Sequence, residues 1–151
     1  MKEKEEKQKI SFQAPKGTHD ILPEDYPYYQ NFYDKAEEIA DYYGFKPIQT
    51  PILEKTDLFT ASIGETSDII EKQMYTLKTR GGDNLALRPE GTAPVMRSYL
   101  EHGMFTLPQP IMLWYKGSFF RHENPQKGRY REHQQFGLEI IGESKPIAEV
   151  T

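Results

Sequence analysis

The chain contains no cysteine, only one tryptophan and no long apolar segment. Without cysteine it can form neither a disulfide framework nor a thiolate metal site. No apolar run is long enough to cross a bilayer, and residues 1–10 lack the apolar stretch of a signal peptide. The net charge of −4 at pH 7 excludes a general polycationic coat for nucleic acid, so RNA contact would need a local basic patch. We therefore expect a soluble, cytoplasmic protein that binds neither membrane nor DNA.

The 151 residues fit one domain, and a hydrophobic content of 36% suffices to form a core. Residues 1–11 have mixed charge and little to bury, so we expect a disordered tail followed by one domain over 12–151. Ser144 and Pro146 predict the start of a helix. Because no stop signal follows, we expect the N-terminal part of a longer protein.

An amphipathic helix is predicted over 23–43, with a proline and two acidic residues in its first turn and Gly44 at its end. Spacings of three and four residues give it one apolar stripe. The stripe consists of Tyr29, Phe32, Tyr33, Ala36, Ile39, Ala40 and Tyr43. It could pack on the core or form a subunit interface. The next segment, 45–54, predicts a strand whose two prolines favour a sheet edge.

Two short strands, 74–78 and 84–87, are predicted around a Gly-Gly turn. They lead into a helix over 93–101, for which Thr92 is the expected N-cap. Glu90 and Thr92 put a carboxylate and a hydroxyl on a strand-to-helix turn, and such a pair can bind an ammonium group. The simpler interpretation is an ordinary threonine cap beside a solvated glutamate.

Two longer strands, 113–123 and 133–141, are predicted to form an antiparallel ribbon, the second of them alternating with period 2. Since successive strand side chains point to opposite faces, one face should pack on a core. The other face presents His133, Gln135 and Glu139. Gly137 lies between the last two and leaves room for a ligand on the sheet. A sheet with one solvated face is the alternative.

The segment that joins these strands, 124–132, is longer than an ordinary hairpin turn. From Lys116 to Arg131 there are five basic residues and one acidic residue, Glu123. The basic residues are Lys116, Arg121, Lys127, Arg129 and Arg131. Because guanidinium groups offer planar, bidentate donors to phosphate, a cationic flap above a polar sheet face predicts a nucleoside triphosphate site.

The same residues carry a family resemblance. FRHE at 120–123, PQKGRYRE at 125–132 and GLEIIG at 137–142 resemble motif 2 of the class II aminoacyl-tRNA synthetases, and of histidyl-tRNA synthetases in particular. RPEGT at 88–92 resembles the segment that holds the substrate histidine in that family. PKGTHDILPED at 15–25 resembles the family's opening segment, which is a marker rather than a catalytic motif.

The helix and strand over 23–54 resemble motif 1, which forms the dimer interface in that family. The resemblance implies an α+β fold, with an antiparallel sheet flanked by helices, and a homodimer. It covers the N-terminal portion of the catalytic domain, with motif 2 at about 113–141. The family's later segments, motif 3 and the anticodon-binding domain have no counterpart here, so the chain alone is expected not to complete adenylation.

The implied reaction joins L-histidine to ATP as histidyl-adenylate and then transfers the histidyl group to tRNA(His). The resemblance assigns histidine binding to Glu90, Gly91, Thr92, Arg121, Gln135 and Glu139. Arg121 is the predicted catalytic residue, because it matches the motif 2 arginine at the α-phosphate. Glu139, as an anion, is expected to pair with the α-ammonium group of the substrate.

The resemblance assigns ATP binding to Arg121, Glu123, Arg129 and His133. Glu123 is expected near the adenine and Arg129 near the γ-phosphate. His133 departs from the family pattern, where a phenylalanine stacks on the adenine. Mg²⁺ is expected to accompany the ATP phosphates. The four histidines are scattered and no cysteine is present, so no zinc site or other protein-held metal is predicted.

Two other functions fit parts of the pattern. The regulatory subunit of ATP phosphoribosyltransferase is a relative of these synthetases that does not aminoacylate tRNA, and it need not keep the phosphate-binding arginines. A module that only binds RNA or dimerises, without chemistry, would bind RNA but not ATP. Steep salt dependence alone would not separate these, because any cationic flap produces it.

Overall fold

The computed structural model describes residues 12–61, 73–124 and 126–144. The predicted disordered tail at 1–11 lies outside these ranges, and so does all but the first residue of the helix start at 144–151. No helix within the described ranges is long and apolar enough to span a bilayer.

Among the described residues, the central sheet contains three strands, a short edge strand beside a two-stranded ribbon. β5 (Ile111–Phe120) and β6 (Glu132–Ile141) form the predicted antiparallel ribbon, in which Tyr115 pairs with Gly137. β1 (Lys46–Pro47) runs parallel to β5 at one edge. The edge position expected from the prolines is therefore confirmed for Pro47, whose missing N–H costs no ladder bond there.

A second sheet has the order β2–β4–β3 and is antiparallel throughout. Its strands are β2 (Leu53–Lys55), β3 (Tyr75–Lys78) and β4 (Asn84–Leu87). The predicted hairpin is confirmed. The predicted single strand over 45–54 is wrong, because the chain leaves the first sheet after Pro47 and joins the second at Leu53. The α+β class with antiparallel sheets and flanking helices is confirmed.

Three α-helices with both ends in the described part of the chain flank the sheets: α1 (Tyr26–Tyr42), α2 (Thr56–Ala61) and α3 (Thr92–Glu101). A short 3-10 helix, Met104–Thr106, follows α3. α1 begins three residues later than predicted, because a turn precedes it in which the amide N–H groups of Asp25 and Tyr26 both donate to the carbonyl of Leu22.

Both faces of the β5–β6 ribbon contact apolar groups, so the expectation of one dry and one polar face is wrong. On the even-numbered face, Trp114 packs with Ala40 of α1 and with Phe45. On the odd-numbered face, Tyr115 and Phe119 pack with Val95 of α3. The odd-numbered face is apolar along β5 and polar along β6, and this border is where the candidate site lies.

The apolar stripe of α1 is only partly buried. Ala40 is buried against the sheet, and Tyr33 donates from its hydroxyl to Gln134 Oε1 at 3.0 Å. Phe32, Ile39 and Tyr43 are exposed. One side of the helix therefore belongs to the core, and the other presents aromatic and aliphatic groups at the surface.

Candidate active site

Three predicted ligand-binding side chains lie on one side of the ribbon. The strand register opposes Gln135 to Gly117 and Glu139 to Leu113, so both polar side chains project from the odd-numbered face. Arg121 follows the last residue of β5, and its amide N–H donates to the carbonyl of Arg131 at 2.9 Å. All three side chains are half-buried, so the site is accessible and not part of the dry core.

The strand-to-helix turn before α3 is capped by Glu90. Its carboxylate accepts from the amide N–H of Thr92 at 2.6 Å and from that of Ala93 at 2.9 Å. These amides have no partner within the helix, and the positive end of the helix dipole favours an anion there. The N-cap residue is Gly91, so the prediction of Thr92 as the N-cap is wrong.

The hydroxyl of Thr92 is therefore free to bond elsewhere. It donates to Glu139 Oε1 at 2.8 Å and so joins the turn before α3 to strand β6. The hydroxyl of Tyr115 lies 3.5 Å from the same oxygen of Glu139, and Gln135 donates to that hydroxyl at 3.4 Å. Thr92, Glu139, Tyr115 and Gln135 form one polar chain across the odd-numbered face.

The space above Gly137 is filled, which corrects the expectation that a ligand lies directly on this glycine. An added Cβ at Gly137 would lie 2.3 Å from Cζ of Tyr115. The ring is buried, and burial, followed by the negative charges of Glu139 and Glu90, raises the pKa of Tyr115 to about 12. The tyrosine is thus a neutral hydroxyl at physiological pH.

Arg121 is anchored by a single bond, from Nε to the carbonyl oxygen of Pro89 at 2.8 Å. Among the residues that the structure describes, no acceptor binds its two terminal nitrogens. This anchoring fixes the plane of the guanidinium while leaving its bidentate edge open. The arrangement suits an anion, either a carboxylate or a phosphate.

The neighbouring Arg88 is buried, at 4% exposure, and no role was predicted for it from the sequence. Its guanidinium donates to the carbonyl and hydroxyl of Thr50 and to the carbonyl of Ser118, at 3.0–3.1 Å. It also lies 4.4 Å above the ring of Phe119. Burial lowers its pKa, with the Tyr115 hydroxyl and Glu54 opposing. Arg88 therefore joins the two sheets beneath the site.

The basic residues counted in the predicted cationic flap differ in what they contact. Lys116 lies on the even-numbered face and pairs with Glu37 of α1, so it does not belong to the flap. Arg131 donates to the backbone carbonyls of Glu123 and Lys16, at 3.1 and 3.3 Å. Arg129 is 67% exposed, with Nη1 4.0 Å from Glu123, and it remains able to reach a ligand.

The flap rests on the opening segment of the chain. The amide N–H of Arg131 donates to the carbonyl of Gly17 at 2.7 Å, and the ring of Tyr130 lies 4.7 Å from that of His19. In the sequence this segment carries only the family resemblance and suggests no role. No local signal in the sequence could reveal the contact, because the partners are more than a hundred residues apart.

His133 lies beside the flap, with its ring 6.2 Å from the ring of Phe119. Burial and then the charge of Arg121 lower its pKa, against a smaller opposing effect of Glu123. The imidazole is therefore mostly neutral at pH 7. Within the described ranges, no group of three His, Asp or Glu side chains is arranged to hold a metal ion.

An open groove of about 1140 Å³ runs between α2 and α3 and reaches the site at Glu90 and Thr92. Arg121, Gln135 and Glu139 are not part of its lining. We therefore assign the candidate site to the odd-numbered face of the ribbon and not to this groove.

Comparisons with known proteins identify the family to which the chain belongs. A family model described as "Histidyl-tRNA synthetase" matches residues 17–150. A histidine–tRNA ligase of Dehalococcoides mccartyi (strain CBDB1) is 55% identical over 133 residues, covering 88% of this chain and 32% of the relative. A histidine–tRNA ligase of Rubrobacter xylanophilus is 45% identical over 150 residues, covering 93% of this chain and 35% of the relative. The chain thus spans about a third of the length of the curated relatives it matches.

Two solved structures are similar across most of the chain. The apo histidyl-tRNA synthetase of Staphylococcus aureus has a TM-score of 0.77 at 41% identity, covering 92% of this chain and 31% of that one. A protein of Bacillus halodurans, described as "ATP phosphoribosyltransferase regulatory subunit/histidyl-tRNA synthetase", has a TM-score of 0.78 at 30% identity, covering 94% and 35%.

Proposed function

Because the chain belongs to the histidyl-tRNA synthetase family, we propose that it forms part of the catalytic domain of a histidine–tRNA ligase. The ligase activates L-histidine with ATP and transfers it to tRNA(His). The observation that carries the proposal is the open edge of the Arg121 guanidinium beside the polar chain of Thr92, Glu139 and Gln135. One end of this site attracts an anion and the other an ammonium group.

In the first step, a carboxylate oxygen of histidine attacks the α-phosphorus of ATP. A new P–O bond forms, and the bond from the α-phosphorus to the bridging oxygen of pyrophosphate breaks. Negative charge builds up on the phosphate oxygens, so fixed cations supply much of the catalysis. Arg121 is the catalytic residue, because Pro89 holds Nε while the terminal nitrogens can donate to the α-phosphate or the substrate carboxylate.

Glu139 pairs with the α-ammonium group of histidine, and Gln135 and Thr92 orient it. Thr92 holds one carboxylate oxygen of Glu139 at 2.8 Å, so Glu139 has a defined position before the substrate arrives. Glu90 adds negative potential from the capped start of α3. Gly91 contributes through its backbone and through the close packing that its missing side chain allows.

ATP occupies the flap side of the site. Arg129 binds the γ-phosphate, and Glu123 lies near the adenine. His133 stacks on the adenine in place of a phenylalanine, which a neutral imidazole can do. Mg²⁺ would be held mainly by the phosphates of ATP, with few ligands from the protein, and would offset their charge.

We also propose that the protein is a homodimer in the cytoplasm, where translation takes place. The exposed side of α1, with Phe32, Ile39 and Tyr43, supports a dimer interface because a contiguous apolar surface of this kind favours burial.

The test is ATP–pyrophosphate exchange by the full-length gene product, with histidine compared against the other amino acids. We expect histidine-dependent exchange, whereas residues 1–151 alone should give none. Absence of histidine-dependent exchange by the gene product would favour a second candidate, the regulatory role named in the description of the Bacillus halodurans protein. RNA affinity without ATP binding would instead indicate a module without chemistry.

A further inference from the structure

We propose that Tyr115 is a positioning residue, held between Gly91 and Gly137, that orients Gln135 and Glu139 toward the amino-acid substrate. The identity of the substrate rests on the proposed function. We call Gly91, Tyr115 and Gly137 the clamp, and its geometry does not depend on the proposed function.

The clamp is recognised from the space on each side of the phenol ring. A Cβ built on Gly91 would lie 2.2 Å from Cζ of Tyr115, and one on Gly137 would lie 2.3 Å from the same atom. Both distances are far below van der Waals contact, and the obstructing group is a buried ring that cannot move aside. Any other residue at either position would therefore displace Tyr115.

The backbone does not by itself require glycine at these two positions. Gly91 has φ −105° and ψ −23°, which an L-amino acid readily adopts. Gly137 lies within β6 and is not among the glycines with positive φ. The requirement for glycine is thus steric and comes from the tyrosine, which ties the turn before α3 to β6 through one side chain.

The hydroxyl at the end of the ring links the two polar side chains of the site. It accepts from Gln135 Nε2 at 3.4 Å and lies 3.5 Å from Glu139 Oε1, to which it donates. Gln135 thereby presents its NH₂ group to the tyrosine and keeps its carbonyl oxygen for a donor on the ligand. The hydroxyl stays protonated at neutral pH, so it can donate to Glu139 while it accepts from Gln135.

Both bonds are long, so the position of the ring matters as much as the hydroxyl. The ring sets how deep a ligand can go between Gln135 and Glu139. The ammonium group of an amino acid fits between Gln135 and Glu139. The amide oxygen of Gln135 is a neutral acceptor, the carboxylate of Glu139 is an anion, and the rigid ring of Tyr115 lies between them.

The first experiment measures steady-state ATP–pyrophosphate exchange by the full-length gene product with Tyr115→Phe. We expect the KM for histidine to rise about five- to thirtyfold from the lost hydroxyl, with the KM for ATP and kcat within about threefold of wild type. Tyr99→Phe is the matched control, because Tyr99 is also buried and its hydroxyl bonds Gln109 away from the site. An unchanged KM for histidine, or an equal rise for ATP, would overturn the positioning role.

The second experiment tests the clamp without relying on ligase activity. Gly137→Ala and Tyr115→Ala should each lower the melting temperature of the gene product, but the double variant should lose clearly less than the sum. Gly81→Ala, in an open turn, is the control: its effect on the melting temperature should simply add to that of Tyr115→Ala. Additive losses for the first pair would refute the clamp. A wild type without histidine-dependent exchange would refute the proposed function and the positioning role, leaving the clamp to be judged by melting alone.

Discussion

Thr92 and Glu139 are joined by a hydrogen bond of 2.8 Å from the threonine hydroxyl to Oε1 of the carboxylate. One residue begins α3 and the other lies near the end of β6, so the bond closes the candidate site between two elements far apart in the chain. It also leaves the second oxygen of Glu139 able to accept from a ligand.

We predict that Thr92→Val raises the KM for histidine in pyrophosphate exchange about tenfold, because the carboxylate of Glu139 loses its fixed donor. The KM for ATP should stay near the wild-type value. Thr92→Ser is the matched control, since it keeps the hydroxyl and should behave nearly as wild type. Equal kinetics for the valine and serine variants would contradict the role of this bond.

Replacing Arg121 by lysine should lower kcat for exchange about 10²- to 10³-fold. Lysine keeps the charge but lacks the planar fork that can be anchored on Pro89 and still donate twice. Arg80→Lys, in the exposed turn between β3 and β4, serves as the control and should leave kcat unchanged. A lysine variant at position 121 with wild-type kcat would remove Arg121 from the chemical step.

Arg88→Met should reduce the free energy of unfolding by roughly 2–4 kcal/mol, because the acceptors on Thr50 and Ser118 lose a buried charged donor. Thermal melting of the full-length gene product would measure this as a lower midpoint. Arg80→Met should change stability by no more than about 0.5 kcal/mol, as is usual for an exposed residue. Similar midpoints for both variants would rule out a structural role for Arg88.

The lowered pKa of His133 predicts a pH dependence of stability. In the unfolded chain the imidazole titrates near its ordinary value of about 6.5, so below that pH the unfolded state binds more protons than the folded state. The free energy of unfolding should therefore fall as the pH drops from 7 to 5. Denaturation at both pH values should show a smaller drop for His133→Asn, whereas His102→Asn, at an exposed position, should keep the wild-type drop.

The support of the flap by the opening segment predicts a change in proteolysis. Tyr130→Ala removes the ring contact with His19, so trypsin should cleave at Lys127 and Arg129 faster than in wild type. Mass spectrometry of the early fragments would locate the cuts. Tyr28→Ala, on the exposed side of α1, is the control. Equal cleavage rates in both variants would show that the ring contact does not hold the flap.

Local signals, such as the Gly-Gly turn between the two short strands, predicted several regular elements well, because neighbouring residues alone produce them. The strand at 84–87 has the predicted bounds, and α3 differs by one residue at its start. The segment at 45–54 failed, because an extended pattern does not specify which sheet it joins. Its two ends pair with β5 and β4, at distant points of the chain.

The site was predicted less completely than the fold. Family motifs identified the polar residues, but which side chains touch depends on strand register and on contacts across the sheet. Gly137 looked like open space because its cross-strand neighbour, Tyr115, was not known. Thr92 looked like a cap because a short hydroxyl side chain before a helix usually is one, whereas in the folded turn Gly91 is the N-cap and the carboxylate of Glu90 binds the first two amides.

The single tryptophan has a practical consequence. Trp114 lies on the even-numbered face, stacked on Phe136 at 5.3 Å, while the candidate site occupies the opposite face. Its fluorescence therefore cannot be quenched by direct contact with a molecule bound beside Gln135 and Glu139. A change in the emission of Trp114 itself, corrected for absorption by the ligand, would therefore report a shift of the ribbon or of α1 behind it.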